Sequence, residues 1–187
     1  MGHKLSLATT AFLAVLCTAS FAAFGAAQAS ATTPLLAPAT VCPRPALDAP
    51  TEAQEQSMLC LVNYARQQVG DGTLEASPQL EESARDKAND IVQCDSFSHY
   101  ACGREFTYWM KETGYLSGCW RAGENLAYGE GAYGTTTSIF RAWLRSPTHR
   151  ANLLGPQYVQ TGIDLKVGRL EGTPGVHIWA QHFGVHC

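Results

Sequence analysis

The cysteines constrain this chain more than any other feature of its sequence. Seven are present, and the first, Cys17, lies in an apolar N-terminal segment with the layout of a cleavable export signal. Six remain beyond that segment: Cys42, Cys60, Cys94, Cys102, Cys119 and Cys187. An even number of cysteines in an exported chain predicts three disulfides that cross-link one small globular domain.

The sequence alone leaves many pairings of six cysteines open. As a hypothesis we favour Cys42–Cys60, Cys94–Cys102 and Cys119–Cys187. The first would tie an N-terminal arm to the first helix, and the last would pin the C-terminal residue. A metal cluster is the alternative, but the chain contains no Cys-x-x-Cys pair of the kind that holds zinc.

The first 29 residues have the three parts of a secretory signal peptide. Lys4 supplies the positive start, residues 5–27 are apolar and uncharged, and Ala27-Gln28-Ala29 forms a small-x-small cleavage pattern. We therefore predict a signal peptide at residues 1–29 and a secreted, extracellular protein.

Three other interpretations of this segment are weaker. It is long enough to span a bilayer, but no basic flank follows before Arg44, so we expect no transmembrane anchor after cleavage. Met1-Gly2 with Ser6 also fits a myristoylation pattern, but we interpret that match as accidental because an apolar segment follows directly. A lipoprotein site at Cys17 is disfavoured because bulky Leu16 precedes it.

Cleavage would leave about 158 residues, enough for one domain with a real core. Loss of Lys4 changes the formal net charge from -3 to about -4. Because no run of basic residues occurs, nucleic acid and anionic membrane surfaces are poor candidate partners. We expect a monomer.

Residues 30–50 hold five of the nine prolines with Ala and Thr between them, which predicts an extended arm rather than a packed element. Residues 51–187 form the predicted domain. Apolar periodicity and capping residues predict helices over 52–69, 104–113 and 136–145, and another that starts at Pro78 after Ser77 and has an apolar stripe as far as Ile91.

The C-terminal part changes character. Residues 158–167 and 176–183 are rich in β-branched and aromatic residues, and a segment containing Gly and Pro separates them. This pattern predicts a β-hairpin. Helices followed by a hairpin predict an α+β layered domain.

Common catalytic motifs are missing from the sequence. Neither Gly-x-Ser-x-Gly nor His-Glu-x-x-His occurs. A Gly-x-Gly-x-x-Gly pattern is present at Gly129, Gly131 and Gly134, but no strand-helix unit of a dinucleotide site surrounds it, and Glu130 would repel phosphate. We interpret this segment as a turn.

His99, Glu124 and His149 are the candidate site residues. Two imidazoles and one carboxylate suit a zinc-type cation with an open position, and they are also a possible acid–base set. Spacing alone does not bring them together, because 25 positions separate each from the next. The remaining histidines of the C-terminal part form no ligand pattern and are interpreted as surface or core-edge residues: His177, His182 and His186.

Five short motifs follow one another in a distinctive order. They are Phe97-Ser98-His99, the Gly-Glu-Asn-Leu-Ala of residues 123–127, the Trp-x-x-Ser-Pro-x-His-Arg-x-Asn-Leu-Leu of residues 143–154, Thr161-Gly162-Ile163 and Trp179-x-Gln-x-Phe183. Together with Leu59–Leu80 they resemble the CAP superfamily, and most of all its bacterial secreted SCP-like branch. The resemblance covers about residues 55–187.

The resemblance implies an α-β-α sandwich with a small antiparallel sheet between helices, and a cleft that usually holds two histidines and two glutamates. His99, Glu124 and His149 match three of these four residues. Ser146 stands where the second glutamate falls, so the set is incomplete. Ser146-Pro147 would end the preceding helix and let His149 project from a short turn.

Three functions follow as expectations. The first is an extracellular binding module for a small hydrophobic or lipid ligand, or for a cell-envelope component, with a cleft able to hold a divalent cation such as Zn²⁺. The second is a metal-assisted peptidase or esterase that uses His99, Glu124 and His149 to activate water. The third is a disulfide-stable structural domain with a vestigial site.

Overall fold

The computed structural model describes residues 34–187, so the predicted signal peptide lies outside the described residues. Five α-helices and four strands follow one another: α1 (Thr51–Gln68), β1 (Glu75–Ala76), α2 (Pro78–Gln93), α3 (Tyr108–Glu112), β2 (Trp120–Gly129), α4 (Thr136–Arg145), α5 (Pro147–Leu153), β3 (Gln160–Leu170) and β4 (Thr173–His186). Short 3-10 helices cover residues 101–103 and 131–133. None of the described helices is long and apolar enough to cross a membrane.

Helices α1 and α4 form within a residue of their expected bounds, and α2 begins at its expected first residue, Pro78. The apolar stripe of α1 is fully buried, as Met58, Leu61 and Ala65 show. Helix α2 begins after Ser77, whose hydroxyl accepts a hydrogen bond from the Leu80 N–H. Helix α4 covers the predicted residues 136–145.

The third predicted helix is much shorter than expected. A 3-10 turn occupies residues 101–103, and α3 begins only at Tyr108. Arg104, the expected first helical residue, instead pairs with Asp90 of α2 at 2.7 Å and lies over the ring of Trp109. These contacts hold the segment before α3 in a non-helical path.

One four-stranded sheet has the order β1-β3-β4-β2. The predicted hairpin is confirmed as the antiparallel pair β3–β4, and both strands are longer than expected. Glu171 and Gly172 connect them, both with positive φ (49° and 82°). Positive φ at both central residues suits the right-handed twist of a two-residue hairpin.

Helices cover both faces of this sheet. Helices α1 and α4 pack on one face around a core that includes Trp143, Trp179 and Phe183. Helix α2 packs on the other face against a core that includes Ile178 and Ala180. The α+β, α-β-α sandwich implied by the resemblance is confirmed, but its sheet is mixed rather than antiparallel throughout, because β1 pairs parallel with β3.

The interpretation of the proline-rich arm as unpacked is wrong for its described part, residues 34–50. Ala37 and Cys42 are buried in the core that α1 and α4 share. The side chain of Ser57 in α1 also donates a hydrogen bond to Pro43 O at 2.6 Å. Small apolar side chains and a disulfide let an irregular segment pack where no helix or strand forms.

The three disulfides of the structure are the hypothesised ones: Cys42–Cys60, Cys94–Cys102 and Cys119–Cys187. The first fixes the packed arm to α1. The last joins the start of β2 to the end of β4, since Cys119 precedes β2 and Cys187 follows β4.

Candidate functional site

Strand β2 positions the candidate carboxylate. It pairs antiparallel with β4, and Glu124 lies directly opposite His182. The preceding residue, Gly123, has no Cβ, and this leaves room for the Tyr158 hydroxyl. A Cβ at position 123 would lie only 2.6 Å from that hydroxyl oxygen. That hydroxyl donates a hydrogen bond to Ala122 O at 3.1 Å. The strand is thus held by its pairing with β4 at Glu124 and by Tyr158 at the two residues before it.

Two imidazoles hold the Glu124 carboxylate. His99 Nδ1 lies 2.5 Å from Oε1, and His182 Nε2 lies 2.9 Å from Oε2. The Glu124 side chain is only 2% exposed. A buried carboxylate is costly without partners, and here each oxygen has one.

His182 is itself anchored by helix α2. Its Nδ1 lies 2.6 Å from the hydroxyl of Ser83, which also lies 2.9 Å from Leu80 O. The Ser83 contact fixes the orientation of the ring, so Nε2 is the nitrogen that faces Glu124. His182 has no exposed surface. The interpretation of His182 as a surface or core-edge residue is therefore wrong.

The carboxylate of Glu124 is held in its charged form. Burial alone would raise its pKa, but the hydrogen bonds from His182 and His99 and the positive charges of His182 and Lys87 outweigh burial. The net result is a pKa of Glu124 below its ordinary value. The site is a buried anion enclosed by cationic or proton-donating groups.

His99 is the exposed member of this cluster. Its side chain is 52% exposed, and its carbonyl accepts a hydrogen bond from Lys87 Nζ at 2.6 Å. Lys87 is buried, and burial lowers its pKa. The lysine thus fixes the loop that carries His99, while the imidazole reaches solvent.

His149 lies apart from the hydrogen-bonded cluster. It belongs to helix α5, which Pro147 begins, so the expectation that it projects from a short turn is wrong. Ser146 both ends α4 and precedes α5, and its hydroxyl lies 2.8 Å from His149 Nδ1. Burial and the positive charge of His99 lower the pKa of His149.

Two asparagines tie α5 to β2. Asn125 Nδ2 donates to His149 O at 3.1 Å, and Asn152 Nδ2 donates to Glu124 O at 3.1 Å and to Asn125 Oδ1 at 2.9 Å. Successive side chains of a strand point to opposite faces. Asn125 therefore faces α5, while the Glu124 side chain faces α2.

The structure brings together two of the three predicted site residues, His99 and Glu124. His149 is near enough for the charge of His99 to affect its pKa, but no hydrogen bond joins it to Glu124 among the described residues. Within residues 34–187, no group of three His, Cys, Asp or Glu side chains could hold a metal ion. Both Glu124 oxygens contact imidazoles, so the carboxylate supports His99 and His182 in this arrangement, and a cation held by His99, Glu124 and His149 stays a prediction.

His182 is the functional residue that sequence reasoning missed. Only the pairing register of β2 and β4 places it opposite Glu124. The sequence signal is faint, a histidine directly before Phe183 in the buried part of a strand that also contains His177 and Gln181.

Comparison with known proteins agrees with this architecture. Residues 59–183 match the family described as the cysteine-rich secretory protein (CAP) family. The chain is also 33% identical over 133 residues to the uncharacterized protein YkwD of Bacillus subtilis (strain 168). That match covers 70% of this chain and 47% of YkwD, so the chain spans about half the length of this relative.

Two solved structures share the fold. An extracellular protein containing an SCP domain from Bacillus anthracis str. Ames is 22% identical with a TM-score of 0.59, and the match covers 71% of this chain and 40% of that one. An outer surface protein of Borrelia burgdorferi is 20% identical with a TM-score of 0.58, covering 70% and 90%. Because the family match covers most of the described domain, this chain belongs to the cysteine-rich secretory protein (CAP) family.

Proposed function

We propose that this protein is a secreted, extracellular binding module that takes a small amphipathic ligand, such as a fatty acid or another envelope lipid, beside His99. The observation that carries the proposal is an imidazole that is half exposed on one side and held by a buried carboxylate on the other. Such a group is oriented before any ligand arrives, and it offers its free Nε2 to a polar head group.

Exposed aromatic side chains of the two segments that carry His99 and Glu124 would contact the apolar part of the ligand. Tyr100, the residue after His99, is 68% exposed, and Tyr128 of β2 is 45% exposed. The Tyr128 ring lies 4.6 Å from that of Phe97 in an edge contact. Exposed rings beside one polar group are typical of sites that bind a molecule with an apolar body and a polar end.

Secretion is supported by three independent features. The N-terminal residues have the pattern of a signal peptide, and the domain contains three disulfides, which persist in oxidising compartments. The similar proteins of B. anthracis and B. burgdorferi are described as extracellular and as an outer surface protein. Mass spectrometry of the culture medium would test export and cleavage after Ala29.

Palmitate is the first probe, titrated by calorimetry into the exported, disulfide-intact protein. We expect saturable binding that His99→Ala and Tyr128→Ser each weaken by about tenfold, the equivalent of one lost polar or aromatic contact. Val69→Ser, which removes an exposed apolar side chain of the α1 C-cap, is the matched control and should bind like the wild type. If palmitate, cholesterol and isolated envelope fractions all fail to bind, the proposal is wrong.

A hydrolase is the second candidate, and one observation favours it. The contact of Glu124 with His99 Nδ1 is the arrangement in which a carboxylate orients a general base. Among the described residues no Ser, Thr or Cys side chain is hydrogen-bonded to His99, so His99 would have to activate water directly. Hydrolysis of p-nitrophenyl acetate or of a peptide panel that His99→Ala abolishes would support this function, whereas unchanged hydrolysis would exclude it.

The expected cation has a separate test. If His99 and His149 share a cation, zinc titrated into the same protein would bind at about one ion per chain and lose that binding in both His99→Ala and His149→Ala. We favour the lipid ligand because both Glu124 oxygens already contact imidazoles, which makes the carboxylate the support of His99 rather than an open ligand.

A further inference from the structure

A cavity of about 740 Å³ lies along the edge of the sheet where β1 and β3 meet. Helix α1 contributes Glu52 and Glu55 to its wall, and α2 contributes Glu81 and Arg85. Residues 163–167 of β3 line the space between them. We call this space the β3-edge groove. His99, Glu124, His149 and His182 do not line it.

The sheet is incomplete along this groove. Strand β1 has only two residues, and it pairs with β3 through Glu75 and Ala76 alone. Just beyond it, the Ser77 N–H still donates to Thr161 O at 2.9 Å. Past Thr161, no strand in residues 34–187 pairs with this side of β3.

The backbone of β3 directs hydrogen-bonding groups into the groove. The Leu165 N–H bonds Glu55 Oε1 at 2.9 Å rather than the neighbouring strand β4. Alternate residues of a strand direct their backbone groups to the same edge, so Ile163 and Val167 present theirs on this side as well. The Glu55 carboxylate thus occupies a place that the carbonyl of a neighbouring strand would take.

The groove has more negative than positive side chains. Only two cations, Arg85 and Lys166, line it. Four carboxylates oppose them: Glu52, Glu55, Glu81 and Asp164. This imbalance favours an occupant that brings positive charge.

This environment raises the pKa of two of the carboxyl groups, those of Glu55 and Asp164. Burial raises the pKa of Glu55 to about 7, the Leu165 N–H opposes that rise, and the charges of Asp164, Glu52 and Glu81 add to it. For Asp164, burial raises the pKa to about 6, opposed by Arg85 and Lys166 and assisted by Asp86.

We propose that the β3-edge groove binds an extended peptide carrying a lysine or arginine, which adds a strand beside β3 in line with β1. Main-chain bonds to Ile163 and Val167 would hold the peptide, and its cationic side chain would pair with Glu55 and Asp164. Proteins usually protect an open strand edge, and pairing with an added peptide is a recurring mode of recognition. This site is independent of the ligand proposed at His99.

The experiment selects peptides and then tests which contacts they use. A random heptapeptide library displayed on phage is panned against the immobilised, disulfide-intact protein, and enriched peptides are synthesised for calorimetry. We expect enrichment of Lys or Arg, and affinity about tenfold weaker when Glu55→Gln and Asp164→Asn are combined, because both carboxylate partners are lost. Glu112→Gln, an exposed carboxylate of α3 outside the groove, is the matched control and should leave affinity unchanged.

Two further measurements identify the binding mode. N-methylation of alternate peptide residues should abolish binding, because it removes the main-chain donors of an added strand. Binding at pH 7 should also release protons, since a cation favours the charged form of Glu55, and the observed enthalpy should then differ between phosphate and Tris buffers. The proposal is overturned if no peptide is enriched, or if the enriched peptides bind equally to the double variant.

Discussion

The carboxylate of Glu124 and the imidazole of His182 lie opposite each other on adjacent strands, with Oε2 2.9 Å from Nε2. Both groups are buried, so each depends on the other for a hydrogen bond that water cannot supply. The pair joins β2, the edge strand of the sheet, to β4 and, through Ser83, to helix α2.

Replacing His182 by Leu should destabilise the fold by roughly 3 kcal/mol, because it leaves the buried charge of Glu124 with one partner fewer. Urea unfolding followed by tryptophan fluorescence measures the loss. His186→Gln is the control, since His186 is exposed, its ring lies 4.6 Å from that of Tyr115 and its Nε2 contacts Tyr115 O; we expect a change within about 1 kcal/mol. Equal losses in the two variants would show that the contact between His182 and Glu124 contributes no more to the free energy of unfolding than the contacts of His186 do.

Glu55→Gln should stabilise the protein at alkaline pH. The pKa of Glu55 is raised from 4.5 to about 7, so the folded protein keeps a proton that the unfolded chain releases. The stability that protonated Glu55 contributes is therefore fully present below pH 4.5 and is lost as the pH rises through 7. Glutamine imitates the protonated acid and can still accept from the Leu165 N–H.

The expected gain of Glu55→Gln is about 1 kcal/mol at pH 8, with no gain at pH 4. Unfolding free energies of variant and wild type, measured at both pH values, give the difference. A variant less stable than the wild type at pH 8 would contradict the raised pKa of Glu55.

Helices α1, α2 and α4 could be predicted because their signals are local. Helix α2, for example, has Ser77 as its N-cap, Pro78 in its first position and an apolar stripe behind them. Strand β2 carries no comparable signal, since its sequence from Trp120 to Gly129 contains no β-branched residue. It is a strand because β4 pairs with it, and tertiary pairing overrides weak propensity.

The site was predictable only in part for the same reason. His99 and Glu124 belong to motifs that the chain shares with a family, so the resemblance identified them. His182 is only a variable position inside the Trp179-x-Gln-x-Phe183 motif, and its contact with Glu124 depends on the β2–β4 register. Helix α5 likewise depends on Pro147, which can begin a helix as readily as it ends one.

His149 should remain neutral at pH 7. Burial and the positive charge of His99 both lower its pKa from 6.5. Replacing His99 by Ala removes one of these causes, so the pKa of His149 should rise toward its ordinary value. NMR titration of the His149 ring Cε1–H measures both values, and an unchanged midpoint in the variant would mean that the two imidazoles do not interact.

Gly162→Ala should be among the most damaging small substitutions in the chain. A Cβ at Gly162 would lie 2.0 Å from the backbone carbon of Leu80 and 2.1 Å from the Glu81 N, so α2 could not keep its place on β3. Since backbone rather than a flexible side chain would have to move, we expect a loss of at least about 3 kcal/mol. The matched control is Gly72→Ala, where no atom lies within 4 Å of the added Cβ and φ is not positive, and there we expect a change within about 1 kcal/mol. Urea unfolding of both variants decides the matter: similar stabilities would show that α2 does not approach β3 as closely as the structure describes.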